Sequence, residues 1–340
     1  MSIDMSSNFF KLLLHFRRQD LTAFSLRHAK LFEEAMENGD HHAVTAHYYS
    51  VMSAVIDQYF SGCFHFAPPS HDNQTLEDAL RDLHQEIGKR LDLRPEAKCV
   101  DIGCGIGGVI RDLADSGALL TGITISPNEV EIGNAVLERK GLAEQCRILH
   151  GDAAAMPLPA AGSDAAYAVY SLKYLPRLEP VFNEVNRILR PGGRFLVYDL
   201  MTTETFERAS PEQKEIVSQL EFACGMPALH SRKQTVQVAH ANGLDLVEEE
   251  DLSETFGRPF HFCFSHSPFF MWLVKSPTVG FLIKIAQALH ILPAGFYSFN
   301  RTFLSGTVEK IVEAGKAGIL SGSRILVFQK KNSDSFPAQL

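Results

Sequence analysis

The residues with the clearest chemical content lie at positions 98–113, KCVDIGCGIGGVIRDL. A short apolar run (Cys99, Val100, Ile102) carries Asp101. Gly103, Gly105, Gly107 and Gly108 then crowd into a turn, and a helical pattern of Val109, Ile110 and Leu113 follows at once. This order reads as strand, glycine turn, helix. Alternate glycines let the backbone take positive φ and approach a ligand to contact distance, while the first N–H groups of the next helix face the same point. Such a turn cradles a nucleotide-like ligand.

Gly103, Gly105 and Gly108 also fit the dinucleotide fingerprint G-x-G-x-x-G, which wants a carboxylate at the end of the second strand, about twenty residues on. Here that strand, ALLTGITI at 118–125, ends in Thr124, Ile125 and Ser126, and no acid follows until Glu129. Asp101, two residues before the first glycine, would oppose a pyrophosphate but attract an ammonium. S-adenosylmethionine, with an amino-acid tail, a sulfonium cation and no phosphate, accounts for both features. On this reading Gly103, Cys104 and Gly105 offer backbone to its methionine half, with Asp101 favouring the ammonium. Thr124, Ile125 and Glu129 lie at the ribose. Asp152 accepts from the adenine amino group while the Ala153 amide donates to the ring.

The elements that must position these residues alternate along the chain: strands at 99–103, 118–124, 146–150, 164–170 and 193–199, with helices at 107–115, 127–140 and 177–189. That alternation predicts an α/β fold, a Rossmann-like doubly wound parallel sheet whose ligands sit beyond the carboxyl ends of the strands. A helix at 235–242 and strands at 244–251 and 323–330 complete the sheet. The division expected is an N-terminal helical cap with an aromatic pocket segment at 1–75, a nucleotide-binding core at 76–255, a helical and aromatic insertion at 256–322, and the last core strand with a tail at 323–340. With 340 residues, 45% of them hydrophobic, there is material for a full core. A net charge of −8 argues against a nucleic-acid partner. Six scattered cysteines without a C-x-x-C pair, and no secretory leader, read as reduced thiols in a cytoplasmic protein.

The ordered set of the glycine turn, SPNEVEIGN at 126–134, GDA at 151–153, AYAVYSLKY at 166–174 and LRPGGRFL at 189–196 resembles the class I S-adenosylmethionine-dependent methyltransferases. With FHF at 64–66 and EFACGMPA at 221–228 the chain is similar to the sterol C-methyltransferase family, and most to its nematode branch acting at sterol C-4. The resemblance covers roughly residues 45–330. It implies S-adenosylmethionine as cofactor and a sterol as substrate. The side-chain (C-24) enzymes of the family carry an acidic residue after the fourth strand and a Trp- and Glu-bearing run upstream. Here those positions read Tyr170 and DQYFSG at 57–62.

Methylation at a side-chain alkene leaves a carbocation, which aromatic faces and a carboxylate must stabilise. Methylation at C-4 of a 3-keto sterol needs a base for the C-4 proton and a donor for the developing enolate oxygen. Tyr170, Tyr174 and His65 are the candidate donors or bases, with Glu221 a further base. The expected reaction gives a 4-methyl sterol and S-adenosylhomocysteine, and the resemblance implies a role in limiting sterol hormone precursors. A C-24 methyltransferase, a methyltransferase of another lipid and a non-catalytic sterol binder are the alternatives.

No metal is expected: His41, His42 and His47 have no Cys or carboxylate at ligand spacing. The apolar residues of 258–303, from Phe260 and Phe262 to Phe303, suit a sterol pocket or a membrane surface but also ordinary core packing. Phe9–Phe16 offer a second amphipathic face. Peripheral association with the endoplasmic reticulum membrane is the corresponding expectation, and the oligomeric state is left open.

Overall fold

The computed structural model describes residues 14–60 and 65–332, with the backbone alone at Ala54 and at residues 56–60. Phe9, Phe10, Leu12, Leu13, Cys63 and Phe64 lie outside the described residues, as do the side chains of the run at 57–62. The chain opens with α1 (Leu21–Asn38), α2 (His42–Phe60) and α3 (Leu76–Arg90). The sheet and its helices then alternate: β1 (Lys98–Ile102), α4 (Gly108–Leu113), β2 (Leu119–Thr124), α5 (Pro127–Arg139), β3 (Cys146–His150), β4 (Ser163–Val169), α6 (Glu179–Ile188), β5 (Leu189–Thr202). There follow α7 (Pro211–Cys224), α8 (Arg232–Ala241), β6 (Leu244–Asp251), α9 (Pro268–Lys275), α10 (Pro277–Ala288), α11 (Ser305–Lys316) and β7 (Leu320–Lys330).

One sheet runs in the order β3-β2-β1-β4-β5-β7-β6. The expected wholly parallel sheet holds from β3 to β5, but β7 is antiparallel to both its neighbours. The departure follows from sequence order: β7 enters between β5 and β6 as the last strand, straight from α11. Helices cover both faces, so successive strand residues bury on opposite sides. Cys99 and Tyr167 join one core with Ile87, Ile110 and Tyr198, while Val100 and Ala166 join another with Phe182, Phe195 and Phe328. This is why the central strands read as near-continuous apolar runs. Burial of Leu80, Leu83 and Ile87 on α3, each worth about 1.5–3 kcal/mol, presses that helix onto α4 and fixes the helix that follows the glycine turn.

Between β1 and β4 the strand order reverses, and the crevice at their carboxyl ends is where a doubly wound sheet binds ligands. The glycine turn leaves β1 there, and residues 170–174 leave β4 there. Above this crevice the N-terminal cap and the insertion form one layer. Phe16 and Phe24 of the cap meet Phe299 and Phe303 of the insertion edge to face, with ring centroids 5.2–5.5 Å apart. The aromatic stretch at 258–303 therefore divides. Phe260, Phe264, Phe299 and Phe303 are core, whereas α9 and α10 contain no buried residue.

Candidate active site

At the cofactor end, Gly103 and Gly105 take φ of +76° and +54°, the left-handed region that glycine enters without cost. The Gly103 and Cys104 amides both donate to the Ile123 carbonyl, at 2.9 and 3.1 Å. The N–H groups of Gly103 and Cys104 are thus taken, so the backbone that these two can offer to the methionine half is carbonyl oxygen. Beside them Asp101 is buried, and its Oδ2 has no hydrogen-bond partner. Burial pushes its carboxyl up to about 7, and the adjacent Tyr167 hydroxyl, itself without a well-aligned partner, offsets part of that rise. A Cβ built on Gly105 would meet nothing within 4 Å. A buried carboxylate oxygen without a partner, on the strand that leads into the glycine turn, fits a ligand carrying an ammonium group.

The ribose end gains a carboxylate that chain order had left doubtful. Glu129 sits in the first turn of α5, capped by Ser126, and its Oε2 accepts the Thr124 hydroxyl at 2.5 Å. The helix thereby returns an acid to the end of β2, where ribose hydroxyls would need one. Ile125 lies exposed on the same rim. The next loop is tied down by Gly151, whose amide donates to the Thr124 carbonyl, and Asp152 Oδ1 accepts the Ala154 amide at 2.8 Å, with Ala153 half-buried between them.

At the acceptor end the structure brings together Tyr170, Tyr174 and His65 around a residue that the sequence did not single out, Lys173. The Lys173 ammonium is buried, 4.1 Å from the centroid of the Tyr170 ring and 5.2 Å from that of Tyr174. Burial pulls it down to about 8, against the opposing pull of Asp199. Asp199 is likewise buried and pushed up to about 6, with Lys173 and backbone N–H groups holding it lower. Its oxygens accept the Leu200 and Lys173 amides at 2.8 and 3.1 Å. Each of the two holds the other toward its charged form. Tyr49 from α2 donates to the Tyr174 hydroxyl at 2.8 Å and closes the cluster on the cap side.

Tyr170 has a backbone role as well. Its φ is +52°, a conformation that costs a non-glycine residue about 1–3 kcal/mol. Its amide donates to the Tyr198 carbonyl and its hydroxyl to the Gly322 carbonyl, at 2.8 and 2.7 Å. The hydroxyl proton is therefore engaged by β7, and Tyr170 presents its ring to the site rather than the donor expected of it. His65 is buried with its ring 6.0 Å from that of Tyr170, and desolvation, His84 and Lys173 hold it well below the ordinary histidine range. Glu221 turns elsewhere: it accepts the Leu229 amide at 2.7 Å and so fastens the loop after α7. Burial pushes it up to about 7. Among the described residues no group of three His, Cys, Asp or Glu is placed to hold a metal ion, and His47 donates instead to the Phe24 carbonyl.

Comparison with known proteins agrees with this architecture. A methyltransferase domain family matches residues 100–197. The sterol 4-C-methyltransferase strm-1 of Caenorhabditis elegans is 53% identical over 332 residues, which cover 97% of this chain and 99% of that protein. The 24-methylenesterol C-methyltransferase 2 of rice (Oryza sativa subsp. japonica) is 26% identical over 83% of this chain and 76% of its own length. Among solved structures, a putative sarcosine dimethylglycine methyltransferase from Galdieria sulphuraria superposes with a TM-score of 0.62 at 17% identity, over 82% of this chain and 98% of that one. At that identity the likeness concerns the fold.

Calorimetric titration with S-adenosylhomocysteine checks the cofactor end. Gly105→Asp, which fills the open space with a charge, is expected to weaken binding about 100-fold or more while the protein stays folded. On the proposed role, binding of an ammonium calls for the ionised form of Asp101, which burial pushes up to about 7. Affinity should therefore be level above that pH and fall as pH drops through it, and Asp101→Asn should be weaker and flat across the same range. Unchanged affinity in Gly105→Asp would contradict this assignment.

Proposed function

The chain belongs to the sterol C-methyltransferase family, whose reaction moves a methyl group from S-adenosylmethionine to a sterol carbon, and from that premise we propose that it methylates C-4 of a 3-keto sterol. The products are a 4-methyl sterol and S-adenosylhomocysteine. The observation that carries this reading is the buried Lys173 ammonium. C-4 chemistry develops negative charge on the ketone oxygen as the C-4 proton leaves, and side-chain alkylation develops positive charge on carbon. A unit charge about 6 Å away in an effective dielectric of ~20 contributes about 3 kcal/mol, and its sign here favours the enolate and opposes the cation. Asp199, whose oxygens accept the peptide N–H groups of Leu200 and Lys173, carries the opposite charge and offsets part of this effect.

In this scheme Lys173 holds the enolate oxygen, the rings of Tyr170 and Tyr174 fix the ammonium, and Asp199 keeps it charged. Asp101, Glu129 and Asp152 hold the methionine, ribose and adenine parts of the cofactor, with Gly103, Cys104, Gly105, Thr124, Ile125 and Ala153 forming the surrounding wall. When bound, the cofactor supplies an electrophilic methyl on a positively charged sulfur. Withdrawal of 3-keto sterols in this way would limit the supply of sterol hormone precursors.

Purified protein incubated with labelled cofactor and either a saturated-side-chain 3-keto sterol or a Δ24 3-hydroxy sterol, followed by product mass spectrometry, tests the position. Methylation of the first at C-4 is expected, and methylation of the second alone would return the protein to the side-chain class. Lys173→Met should lower kcat on the 3-keto sterol about 100-fold with affinity for S-adenosylhomocysteine retained.

We also propose that α9 and α10 rest on a sterol-containing bilayer, from the cytoplasmic side of the endoplasmic reticulum. Phe269, Phe281 and Trp272 are 68%, 62% and 54% exposed, and Phe269 stacks on Trp272. Among the described residues no single helix is long and apolar enough to cross a membrane, and α9 with α10 reach that length only as a pair bent by 57°. A bent apolar pair with aromatic residues outward suits an interfacial position, and a sterol substrate must be drawn from a bilayer. Because Lys173 and Tyr170 are buried, the sterol reaches them only if the covering layer parts. In liposome flotation the protein should rise with sterol-containing vesicles, and Phe269→Asp with Trp272→Asp should abolish this without loss of activity on detergent-dispersed sterol. Wild-type protein remaining in the bottom fraction would contradict the membrane assignment.

A further inference from the structure

Resting on the C-4 reading above, we propose that His65, His84 and Asp112 form a proton-exit chain, in which His65 takes the proton from C-4 and Asp112 passes it to solvent. The three residues come from three separate segments: the loop before α3, α3 itself, and α4 directly after the glycine turn. His65 Nε2 lies 2.7 Å from His84 Nε2, and His84 Nδ1 lies 2.6 Å from Asp112 Oδ2. Both imidazoles are buried, while the Asp112 side chain is 34% exposed. The chain thus runs unbroken from the Tyr170 ring to water.

Other buried histidines of this protein end differently. His28 donates to the Phe222 carbonyl at 2.7 Å, a backbone acceptor that can pass no proton onward. At His65 and His84 every partner is itself a proton carrier. The protonation pattern follows from the acceptor at the solvent end. An aspartate carboxylate only accepts, so His84 places its hydrogen on Nδ1 and leaves Nε2 as a lone pair. His65 must then donate from Nε2, which leaves its own Nδ1 lone pair as the base.

The step balances as follows. The C-4–H bond breaks, its electron pair enters the enolate, and a new N–H bond forms on His65 Nδ1. The Nε2 proton of His65 moves to His84 Nε2, and the Nδ1 proton of His84 moves to Asp112. Transfer outward is favoured by charge: an imidazolium at His65 lies near the Lys173 ammonium, which disfavours protonation there, whereas Asp112 carries the opposite sign. His65 is the catalytic base in this scheme, and His84 and Asp112 act through it.

A 3-keto sterol carrying two deuterium atoms at C-4, incubated with the full-length protein and S-adenosylhomocysteine in place of the methyl donor, tests the chain by loss of deuterium to water. Wild-type protein should wash the label out. His65→Gln should lower the wash-out rate about 1,000-fold. His84→Gln and Asp112→Asn should lower it roughly 10- to 100-fold with sterol KM and S-adenosylhomocysteine affinity unchanged, and Asp112→Glu should restore it. Asp112 is at the surface, so its variants keep the test open if a His84 variant fails to fold. Wash-out at the wild-type rate in Asp112→Asn or in a folded His84→Gln would overturn the chain, while continued C-4 methylation by wild type would leave the reading of the reaction standing. Wild-type protein that neither washes out deuterium nor methylates the 3-keto sterol would overturn both.

Discussion

A lysine ammonium held out of water at the carboxyl ends of β4 and β5 is the feature on which the acceptor site depends. Desolvation of such an ion costs several kcal/mol, and the surrounding residues offset that cost in specific ways. Asp199 supplies the opposite charge, and its own oxygens are satisfied by backbone amides. The Tyr170 and Tyr174 rings supply electron-rich faces, each contact worth about 2 kcal/mol when desolvated. Tyr170 faces the ammonium from a left-handed backbone conformation, which bonds to Tyr198 and Gly322 hold in place. A Cβ on Gly322 would stand 2.3 Å from the Tyr170 hydroxyl, so the absence of a side chain on β7 is part of the same arrangement.

The two ends of the crevice carry charges of opposite sign, each matched to what it would meet. Asp101 places a carboxylate at the cofactor end, and on the proposed reaction Lys173 would meet an acceptor that turns anionic. Strand order sets this polarity, because β1 and β4 are neighbours on either side of the point where the sheet reverses direction. Donor and acceptor meet across two adjacent strands. The cap and the insertion share one aromatic layer, in which Phe24 meets Phe303 edge to face.

Sequence patterning carried the sheet core well, because apolar runs, glycine turns and capping serines are local signals. Ser126 before Pro127 marked the start of α5, and the glycines at 103–108 marked the end of β1. Less legible were features made by pairing at a distance. β5 begins at Leu189 rather than 193, and β7 at Leu320 rather than 323, because bonding to a neighbouring strand extends each through residues that read as turns. Lys173 in SLKYL carries no local signal of burial, and only the fold buries it. A charged residue between Leu172 and Tyr174, directly after the strand where side-chain enzymes carry an acid, was the available signal. His84 and Asp112 fell on helices with ordinary amphipathic spacing, and their partnership joins positions 28 residues apart. Phe260, Phe264, Phe299 and Phe303 of the aromatic stretch proved to be core, a division that composition alone does not reveal.

Whether the acceptor site stabilises negative charge is most directly measured with a steroid whose A ring is a phenol, since its phenolate mimics a 3-enolate in shape and charge. Ultraviolet difference spectra of the bound steroid, taken with S-adenosylhomocysteine present, report its ionisation. The phenol should ionise on the wild-type protein at a pH well below its value in water and lose that shift in Lys173→Met, and a sterol with an ammonium in its side chain should gain no affinity from the site. A phenol that stays neutral when bound, together with tight binding of the side-chain ammonium, would show that the site is built for a cation and would contradict C-4 methylation.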